Sequence, residues 1–553
     1  MRSPDLSGIS IVCAFAVLAA LLGAGFGHPL QNMNEGLYAR VAQEMLDARQ
    51  WIVPMLDGVP YLEKPPLLYW ITAAAFAVAG AGEVAARTAP WLGAVLALSA
   101  LAWFARRHYG GRVALFAALI LASSPLFVGL ARTLLFDMLF TGLLAWALVL
   151  AHEAIAARPR RGFVRAAYAV LALAVLAKGL AAIAFACGTL LVAVALAARG
   201  ERAWRLRVLL DPAALLLFAA IAVPWHVAAW LREPSFGWFY FWNEHIGRLT
   251  DSRWPHDYYT GPPWYYLPRI VGHAFPWILL LAWPVRVEAR GAGALRGFAW
   301  AWFLVPLAVF SLAASKSEYY MIVGLPPLAL ILAQRLEALR QSRSIAVLPL
   351  AAAAGMAGLI AVTLRAPHAV MPPDTPRLLA AGLAVVVAAS VAFGLKRVRA
   401  GAIALSAFGV VLALLYSGFM ESNESQRSAR SLARVIRVLQ PQQVYVYRDF
   451  EGVSALPFYL RRPVGVVDSR SRDLLYGIRL KPDARRFPAV VTFLDAVERG
   501  ESALLVVPAS RLQAFRASPL AWQFDYMGHV GPFELFRHPG PERIAVRAFI
   551  VRP

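Results

Sequence analysis

Long apolar segments, separated by short arginine-rich ones, fill most of the first 420 residues. Segments of about 18 to 25 apolar residues are long enough to cross a bilayer as helices. They begin near residues 8, 90, 113, 135, 166, 183, 213, 270, 297, 320, 345, 378 and 401. The pattern predicts a polytopic α-helical membrane protein with about thirteen transmembrane helices. The first helix is expected to be retained, because no clear cleavage site follows it.

Charge along the chain predicts the orientation of these helices. The chain is 60% hydrophobic and 16% charged, with a net charge of +22. The basic segments all fall on one side of the predicted membrane: 106–112, 158–165, 199–207, 286–296, 335–343 and 396–399. That side is cytoplasmic by the positive-inside rule, so the charge indicates membrane orientation and not a nucleic-acid partner. The other side, the periplasm of a bacterial inner membrane, receives loops at about 27–89 and 232–269.

The region from residue 420 to residue 553 has short apolar runs and amphipathic segments in place of long apolar ones. It is predicted to be a soluble periplasmic α/β domain. "QQVYVYRD", "PVGVVD" and "ALLVVPA" are typical of short buried strands. "SALPFYLRR", "FPAVVTFLDAVERG" and "SRLQAFRAS" are typical of amphipathic helices, and "GHVGPFELFRH" of a closing hairpin. Residues 1–419 would then form the transmembrane domain. No catalytic motif is visible after residue 420, so docking, covering or stabilising roles are favoured there.

The first outer loop concentrates polar groups at the membrane boundary. "NEGLYARVAQEMLDARQW" has helical apolar spacing and predicts a short amphipathic helix on the membrane surface. "YLEKPPLLYW" places an acid and a lysine directly before two prolines and an apolar run. The polar and aromatic candidates in this loop are Asn34, Glu35, Tyr38, Tyr61, Glu63 and Lys64. An ordinary polar loop is one interpretation, and contact with a lipid phosphate through Lys64 is the other.

Other predicted outer segments add charged candidates. Arg132 and Asp137 flank the outer end of one span, as a structural ion pair or as functional groups. Lys178 lies at an outer turn, where helix capping and lipid contact are both open. The second outer loop gathers Glu244, His245, Arg248, His256 and Asp257, and a further outer segment adds Lys316 and Tyr320.

Several cations and a few carboxylates on one side of the membrane predict an enzyme that handles a lipid-linked phosphate. Neither a P-loop nor a dinucleotide fingerprint is visible, and an outward site has no nucleotide available to it. A lipid transporter would distribute polar groups through the bilayer depth, whereas the middles of these spans are almost uncharged. A non-catalytic lipid-binding relative is the third hypothesis.

Ordered motifs over residues 8–340 resemble one family. They are "NEGLYARVAQEML", "YLEKPPLLYW", "LLFDMLF", "LAKGL", "NEHIGR", "PPWYYLP" and "SKSEYYMIVGLPPLAL". In this order they resemble the bacterial aminoarabinose transferases and related polyprenyl-phosphate-sugar-dependent glycosyltransferases of the GT-C fold, which include protein O-mannosyltransferases. The resemblance implies inverting transfer of a sugar, such as 4-amino-4-deoxy-L-arabinose, from undecaprenyl phosphate to lipid A or another periplasmic acceptor. A monomer is expected.

The resemblance also implies roles for individual residues. Lys64 would bind the donor phosphate, assisted by Arg248 or Arg269 and by Tyr320, with Lys316 nearby. Asp137 matches a required aspartate, and Tyr38, Tyr61 and Lys178 would line the substrate pocket. Glu63 and His245 resemble a pair that binds a divalent metal such as zinc in some members, although two ligands alone make a poor zinc site.

The first loop departs from the family pattern at one position. The family motif reads Asp-Glu, whereas this chain has Asn34-Glu35. An asparagine amide cannot act as a general base. Glu35 or Asp137 would therefore supply the catalytic carboxylate, or the acceptor differs from lipid A.

Overall fold

The computed structural model describes residue 23 and residues 25–256, 258–285, 293–365, 370–499 and 502–538, without the side chains of 293–296. The span predicted to begin near residue 8 therefore lies almost wholly outside the described residues. Packing divides the chain into two units. The first unit comprises residues 1–26, 63–68 and 87–419, and the second comprises 27–62, 69–86 and 420–553.

The first unit is built from helices. Within the described ranges, seven helices are long and apolar enough to cross a membrane: Thr88–Tyr109, Phe136–Ile155, Pro212–Arg232, Tyr320–Ala338, Ser344–Arg365, Thr375–Gly394 and Val398–Ser422. Shorter helices are Gly111–Ser123, Pro125–Leu130, Arg161–Lys178, Ala181–Ala195, Arg199–Leu209, Gly237–Gly247, Arg248–Thr250, Pro263–Tyr265, Tyr266–His273, Trp277–Ala282 and Gly293–Leu312. A short strand pair, Tyr259–Thr260 with Ser315–Lys316, joins two of the loops.

Most of these helices begin close to the predicted starts, and the segment near residue 270 is the exception. It forms two short helices, Tyr266–His273 and Trp277–Ala282, in place of one continuous span. Pro276 lies between them, and a proline disfavours helical backbone in the residue before it. An apolar helix, Leu67–Ala79, also lies within the segment that was predicted to be the first outer loop.

Two glycines bring the helices Thr88–Tyr109 and Phe136–Ile155 into close backbone contact. A Cβ atom at Gly93 would lie 2.5 Å from the backbone of Leu139, and one at Gly142 would lie 2.3 Å from the carbonyl oxygen of Gly93. Small residues at such contacts are typical of membrane helices, which associate by close van der Waals packing. This contact positions the first turn of the second helix, which carries Asp137.

The second unit contains a five-stranded mixed sheet. Its strands are β1 (Gln443–Tyr447), β2 (Gly465–Val467), β3 (Ala503–Pro508), β4 (Asp525–Val530) and β5 (Phe533–His538), in the order β2-β1-β3-β5-β4. β1 pairs in parallel with β2 and β3, whereas β5 pairs antiparallel with β3 and β4. β3 is buried along its whole length, as its unbroken apolar run predicts for a central strand.

The same unit also contains short helices and helical turns. They are Glu83–Ala86, Glu424–Arg427, Arg430–Leu439, Glu451–Val453, Leu456–Leu460, Arg472–Leu480, Val490–Glu498, Ala509–Arg511, Leu512–Arg516 and Pro519–Trp522. A small hairpin, Met55–Leu56 with Val59–Pro60, comes from the first loop. The three predicted strands, the closing hairpin and the three predicted amphipathic helices after residue 420 are all confirmed.

The first-loop segment forms the predicted helix, Asn34–Asp47, but not in the predicted environment. Arg40 and Gln43 on its polar face are as buried as its apolar residues. A Cβ atom at Gly36 would lie 2.4 Å from the backbone of Ala455, so this helix packs tightly against residues after 420. The expectation of a helix lying on the membrane surface with one polar face in water was wrong, because both faces are covered.

A buried ionic cluster joins this helix to the C-terminal residues of the same unit. Arg40 Nε donates to Asp57 Oδ1 at 3.0 Å, and Arg40 Nη2 lies 2.8 Å from Glu44 Oε1. The Val464 N–H donates to Asp57 Oδ2 at 3.3 Å, and the Arg486 guanidinium donates to the Asp57 carbonyl at 3.0 Å. Burial raises the pKa of Asp57, and it raises the pKa of Glu44 to about 7 although Arg40 opposes the shift.

We expect Gly142→Ala to destabilise the protein by about 1–3 kcal/mol, because the added methyl group would overlap the carbonyl of Gly93. Thermal unfolding of the detergent-solubilised chain measures this. The control is Gly162→Ala in the helix Arg161–Lys178, where nothing lies within 4 Å of the added atom. This control should be at least as stable as wild type, because alanine favours helix over glycine. Wild-type stability in Gly142→Ala would contradict the close packing.

The raised pKa of Glu44 predicts a pH dependence of stability. Between its ordinary value of 4.5 and about 7 the folded chain binds more protons than the unfolded chain. The stability contributed by protonated Glu44 is therefore complete below pH 4.5 and is lost as the pH rises through 7, by up to about 3 kcal/mol. Melting temperatures of Glu44→Gln and wild type from pH 5 to pH 8 should show a flatter slope in the variant. The exposed Glu498→Gln should retain the wild-type slope, and equal slopes in all three proteins would contradict the assignment.

Candidate active site

Lys64 and Glu63 lie in the first unit, immediately before the helix Leu67–Ala79. Lys64 Nζ lies 3.4 Å from Glu63 Oε2 and 3.2 Å from Glu244 Oε2. The two prolines that follow Lys64 restrict the backbone on its C-terminal side. Glu63 and Lys64, adjacent in the sequence, therefore form a group with Glu244 of the second loop.

Glu244 is the centre of this group. Its Oε2 accepts hydrogen bonds from Lys64 and, at 2.8 Å, from Arg248 Nη2, and its Oε1 accepts from Arg253 Nε at 2.5 Å. Arg253 also donates to Glu63 Oε1 at 3.1 Å, which closes the network. Burial raises the pKa of Glu244, but Arg248, Lys64 and Arg253 outweigh burial and hold this pKa well below its usual range. Glu244 is therefore a carboxylate at neutral pH.

The accessible surface of this cluster is cationic. Among the residues that the structure describes here, three cations, Lys64, Arg248 and Arg253, face two carboxylates, Glu63 and Glu244, an excess of one positive charge. The side chains of Lys64 and Arg248 are 18% and 24% exposed, whereas those of Glu244 and Arg253 are 3% and 1% exposed. A lysine beside an arginine, with the carboxylates largely beneath them, suits a phosphate group.

The second loop positions these residues through a helix and a turn. The helix Gly237–Gly247 has π-type turns and continues into Arg248–Thr250, so that Glu244 and Arg248 lie one turn apart. Asp251 then adopts a left-handed conformation with φ 62°. This residue reverses the chain and returns Arg253 to the Glu244 carboxylate.

Asp137, Lys178 and Tyr320 form a second group beside the first. Asp137 is buried and forms an ion pair with Lys178, so the structure pairs it with Lys178 in place of Arg132. Lys178 Nζ also lies 4.7 Å from the centre of the Tyr320 ring. Tyr320 is close enough to Arg248 to interact with it electrostatically, which links the two groups.

His245 supports the turn that follows Lys178. The Leu180 N–H donates to His245 Nε2 at 3.0 Å, and His245 Nδ1 lies 2.7 Å from the carbonyl of Tyr240, to which it donates. Gly179 has φ +86°, and a Cβ atom there would lie 2.5 Å from His245 Nε2. Burial lowers the pKa of His245, so the ring is neutral at pH 7.

The contacts of Glu63 and His245 do not fit the metal site that the resemblance implied. Both ring nitrogens of His245 are engaged by the backbone, and the two Glu63 oxygens are engaged by Arg253 and Lys64. In the part of the chain that the structure describes, no group of three or more His, Cys, Asp and Glu residues could hold a metal ion. We assign no metal to this pair.

Two residues expected to bind the donor phosphate make other contacts. Lys316 is buried and donates to three carbonyl oxygens at the C-terminal end of the helix Gly293–Leu312, at 2.6 to 2.8 Å, and so acts as a cap. Arg269 stacks on Tyr265, with its guanidinium carbon 3.5 Å from the ring centre, and lies 3.8 Å from Glu318. Arg248 therefore shares the Glu244 carboxylate with Lys64, whereas the contacts of Arg269 lie with Tyr265 and Glu318.

Four further candidates lie in the second unit. Asn34 is exposed at the first position of its helix, whereas Glu35 is buried and its Oε2 accepts from the Gln31 N–H at 3.1 Å. Tyr38 and Tyr61 are both buried within the same unit. Their roles in substrate binding stay predictions.

Sequence reasoning assigned no role to Glu244 and did not name Arg253. The spacing of Glu244 and Arg248, four residues apart, was a signal that could have linked them. Arg253 gave no such signal, because its approach to Glu244 depends on the left-handed turn at Asp251.

Comparison with known proteins identifies the class of protein to which this fold belongs. Residues 63–227 match the family model of dolichyl-phosphate-mannose-protein mannosyltransferase. The chain has the fold of ArnT from Cupriavidus metallidurans, solved bound to undecaprenyl phosphate, with a TM-score of 0.81 and 24% identity over 96% of this chain and 98% of that one. Archaeal oligosaccharyltransferase AglB from Archaeoglobus fulgidus aligns with a TM-score of 0.52 and 12% identity, over 95% of this chain and 74% of that one. The fold is thus the helical GT-C fold of membrane glycosyltransferases, as the sequence predicted.

Sequence similarity over most of the chain identifies the family. A protein of Edwardsiella ictaluri named undecaprenyl phosphate-α-4-amino-4-deoxy-L-arabinose arabinosyl transferase is 30% identical over 490 residues, which are 83% of this chain and 85% of that protein. Its namesake in Pseudomonas aeruginosa is 32% identical over 477 residues, with the same coverage. The chain belongs to this family of glycosyltransferases, and the resemblance seen in its motifs is confirmed. The seven long apolar helices found among the described residues, together with the bacterial relatives, indicate a bacterial inner-membrane protein.

We expect Glu244→Gln to destabilise the protein by about 3–5 kcal/mol, because Lys64, Arg248 and Arg253 would remain close together without the buried carboxylate that all three contact. Thermal unfolding in detergent measures this loss. A short-chain alkyl phosphate should restore part of the stability of the variant, because it supplies a negative charge and binds the folded state. Glu318→Gln, which alters a side chain that is 79% exposed, should unfold like wild type. Unchanged stability in Glu244→Gln would refute the central role of this carboxylate.

Proposed function

We propose that the chain transfers 4-amino-4-deoxy-L-arabinose from undecaprenyl phosphate to a lipid A-like acceptor at the periplasmic face of the inner membrane. The name of the related transferases supports the sugar and the carrier, and ArnT from Cupriavidus metallidurans was solved with undecaprenyl phosphate bound. The observation that carries the proposal is the partly exposed pair Lys64 and Arg248, which both contact the buried carboxylate of Glu244.

The orientation is proposed from the distribution of charge. The helix Arg161–Lys178 has an arginine-rich start and ends at Lys178, beside Asp137. By the positive-inside rule the arginine-rich end is cytoplasmic, so the candidate site faces the periplasm. We propose residues 1–419 as a catalytic membrane domain with about thirteen spans, and residues 420–553 as a periplasmic α/β domain.

The proposed reaction is a single displacement at the anomeric carbon of the sugar. An acceptor oxygen forms the new bond to this carbon from the face opposite the phosphate. The bond between the carbon and the phosphate oxygen breaks, and its electron pair leaves with undecaprenyl phosphate. Lys64 and Arg248 stabilise the charge that develops on the departing phosphate, and the Tyr320 hydroxyl is proposed as a further donor. This electrostatic stabilisation is the larger part of catalysis.

The contacts of the carboxylates favour an acceptor that needs no general base. Asn34 has an amide in place of the family's aspartate, and Glu35 is buried and accepts from a backbone N–H. Asp137 is paired with Lys178. A phosphate acceptor, as in lipid A, is already deprotonated, so the Asp137–Lys178 pair would orient it and would not need to remove a proton.

A transfer assay tests this proposal. Purified protein in detergent would receive a mixed pool of lipid-linked sugars, with lipid A and total membrane lipid as acceptors, and mass spectrometry would read the products. We expect a mass gain of one aminoarabinose on lipid A. Lys64→Ala should lower the rate by about 100-fold or more, because it removes a cation from the leaving phosphate.

The control for this assay is Lys481→Ala, which removes an exposed lysine of the second unit and should retain the wild-type rate. A gain on a different acceptor would correct the acceptor and keep the reaction class. Absence of transfer to any acceptor, or a Lys64→Ala rate within about twofold of wild type, would contradict the proposed role of the site.

A further inference from the structure

A second basic site lies at the other end of the helices in the first unit. A cavity of about 300 Å³ has Arg161, Trp204, Arg207 and Asp211 in its lining. The helix Arg161–Lys178 begins at this cavity and ends beside Asp137, and its 18 residues separate the two places by about 25 Å. The cavity is therefore distinct from the candidate active site and lies towards the opposite leaflet.

The lining of the cavity has an excess of positive charge. Arg161 and Arg207 are both exposed, and within the described residues no carboxylate lies within ion-pair distance of Arg207. Asp211 accepts a hydrogen bond from the Ala214 N–H at 2.9 Å and faces Arg161 at 3.8 Å and Arg165 at 3.5 Å. Its charge is thus already balanced, and the remaining guanidinium charge is available to an anion.

An apolar surface continues from the cavity along the direction of the bilayer. The helix Pro212–Arg232 is a candidate membrane span, and only 22% of its 18-residue apolar stretch is buried within the protein. Leu210, Leu215 and Leu216 beside the cavity are exposed. Trp204 is half-buried in the lining, and tryptophan is enriched at the boundary between acyl chains and headgroups. A cationic cavity with apolar surface next to it matches an amphiphile with an anionic head.

We propose that this cavity binds the headgroup phosphate of an anionic phospholipid from the leaflet opposite the candidate active site. Arg161 and Arg207 hold the phosphate, and the acyl chains lie along the exposed leucines of the helix Pro212–Arg232. A soluble phosphate makes the contacts to the arginines alone, so the lipid binds more tightly than the free anion.

Lipid titration of the full chain in dodecyl maltoside micelles, followed by native mass spectrometry, tests the proposal. The probes are phosphatidylglycerol and phosphatidylcholine at matched concentrations. We expect wild type to bind phosphatidylglycerol about tenfold more tightly than phosphatidylcholine, and the double variant Arg161→Gln/Arg207→Gln to lose this preference. An arginine near a lipid surface contributes about a factor of five in affinity.

The matched control is Arg158→Gln/Arg199→Gln, which removes two exposed charges at the same end of the helices but outside the cavity lining. It should retain the preference. Equal loss in both double variants, no preference in wild type, or displacement of phosphatidylglycerol by millimolar inorganic phosphate would each overturn the proposal. If the cavity variant does not fold, Arg207→Glu alone must weaken phosphatidylglycerol binding, and unchanged binding in that variant would overturn it as well.

Discussion

The Glu244 carboxylate is buried and accepts hydrogen bonds from three cations, two of its own loop and Lys64 of another segment. Three cations this close repel one another, and a buried charge is tolerated only when its partners satisfy it. The Glu244 carboxylate offsets the repulsion between the cations, and the cations in turn satisfy its buried charge. Glu244 therefore holds Lys64 and Arg248 in place before any ligand binds. A phosphate that then reaches this surface finds side chains whose conformational freedom is already reduced, which lowers the entropy cost of binding.

Much of the fold followed from the sequence, because a bilayer sets the length of an apolar segment and β-strands of a buried sheet form short apolar runs. The environment of the helix Asn34–Asp47 did not follow. Its pattern is that of a surface helix. Its buried Arg40 pairs with Asp57, and Asp57 is held by the N–H of Val464, more than 400 positions away along the chain. Pro276 could have indicated the break between the helices Tyr266–His273 and Trp277–Ala282, but the apolar residues around it fit the pattern of one continuous span.

The candidate site was predictable as a set of residues and less so as an arrangement. Lys64, Arg248, Asp137 and Tyr320 lie in motifs, and the structure brings them together in two linked groups. The contacts of Lys316 with the end of its own preceding helix were not predictable, because a lysine in a polar motif gives no sign that it will cap that helix. Such contacts depend on where a helix ends, which periodicity locates only within a few residues.

The path of the chain between its two units has a consequence for biosynthesis. Residues 63–68 belong to the first unit, whereas residues 27–62 and 69–86 on either side belong to the second unit with residues after 420. These early segments emerge from the ribosome on the order of tens of seconds before the residues after 420 that pack against them, such as Ala455 and Gly477. During that interval their apolar side chains lack their final partners and are open to chaperones and proteases. Maturation of the Lys64 segment is therefore coupled to completion of the whole polypeptide, and a truncated product would remain a substrate for degradation.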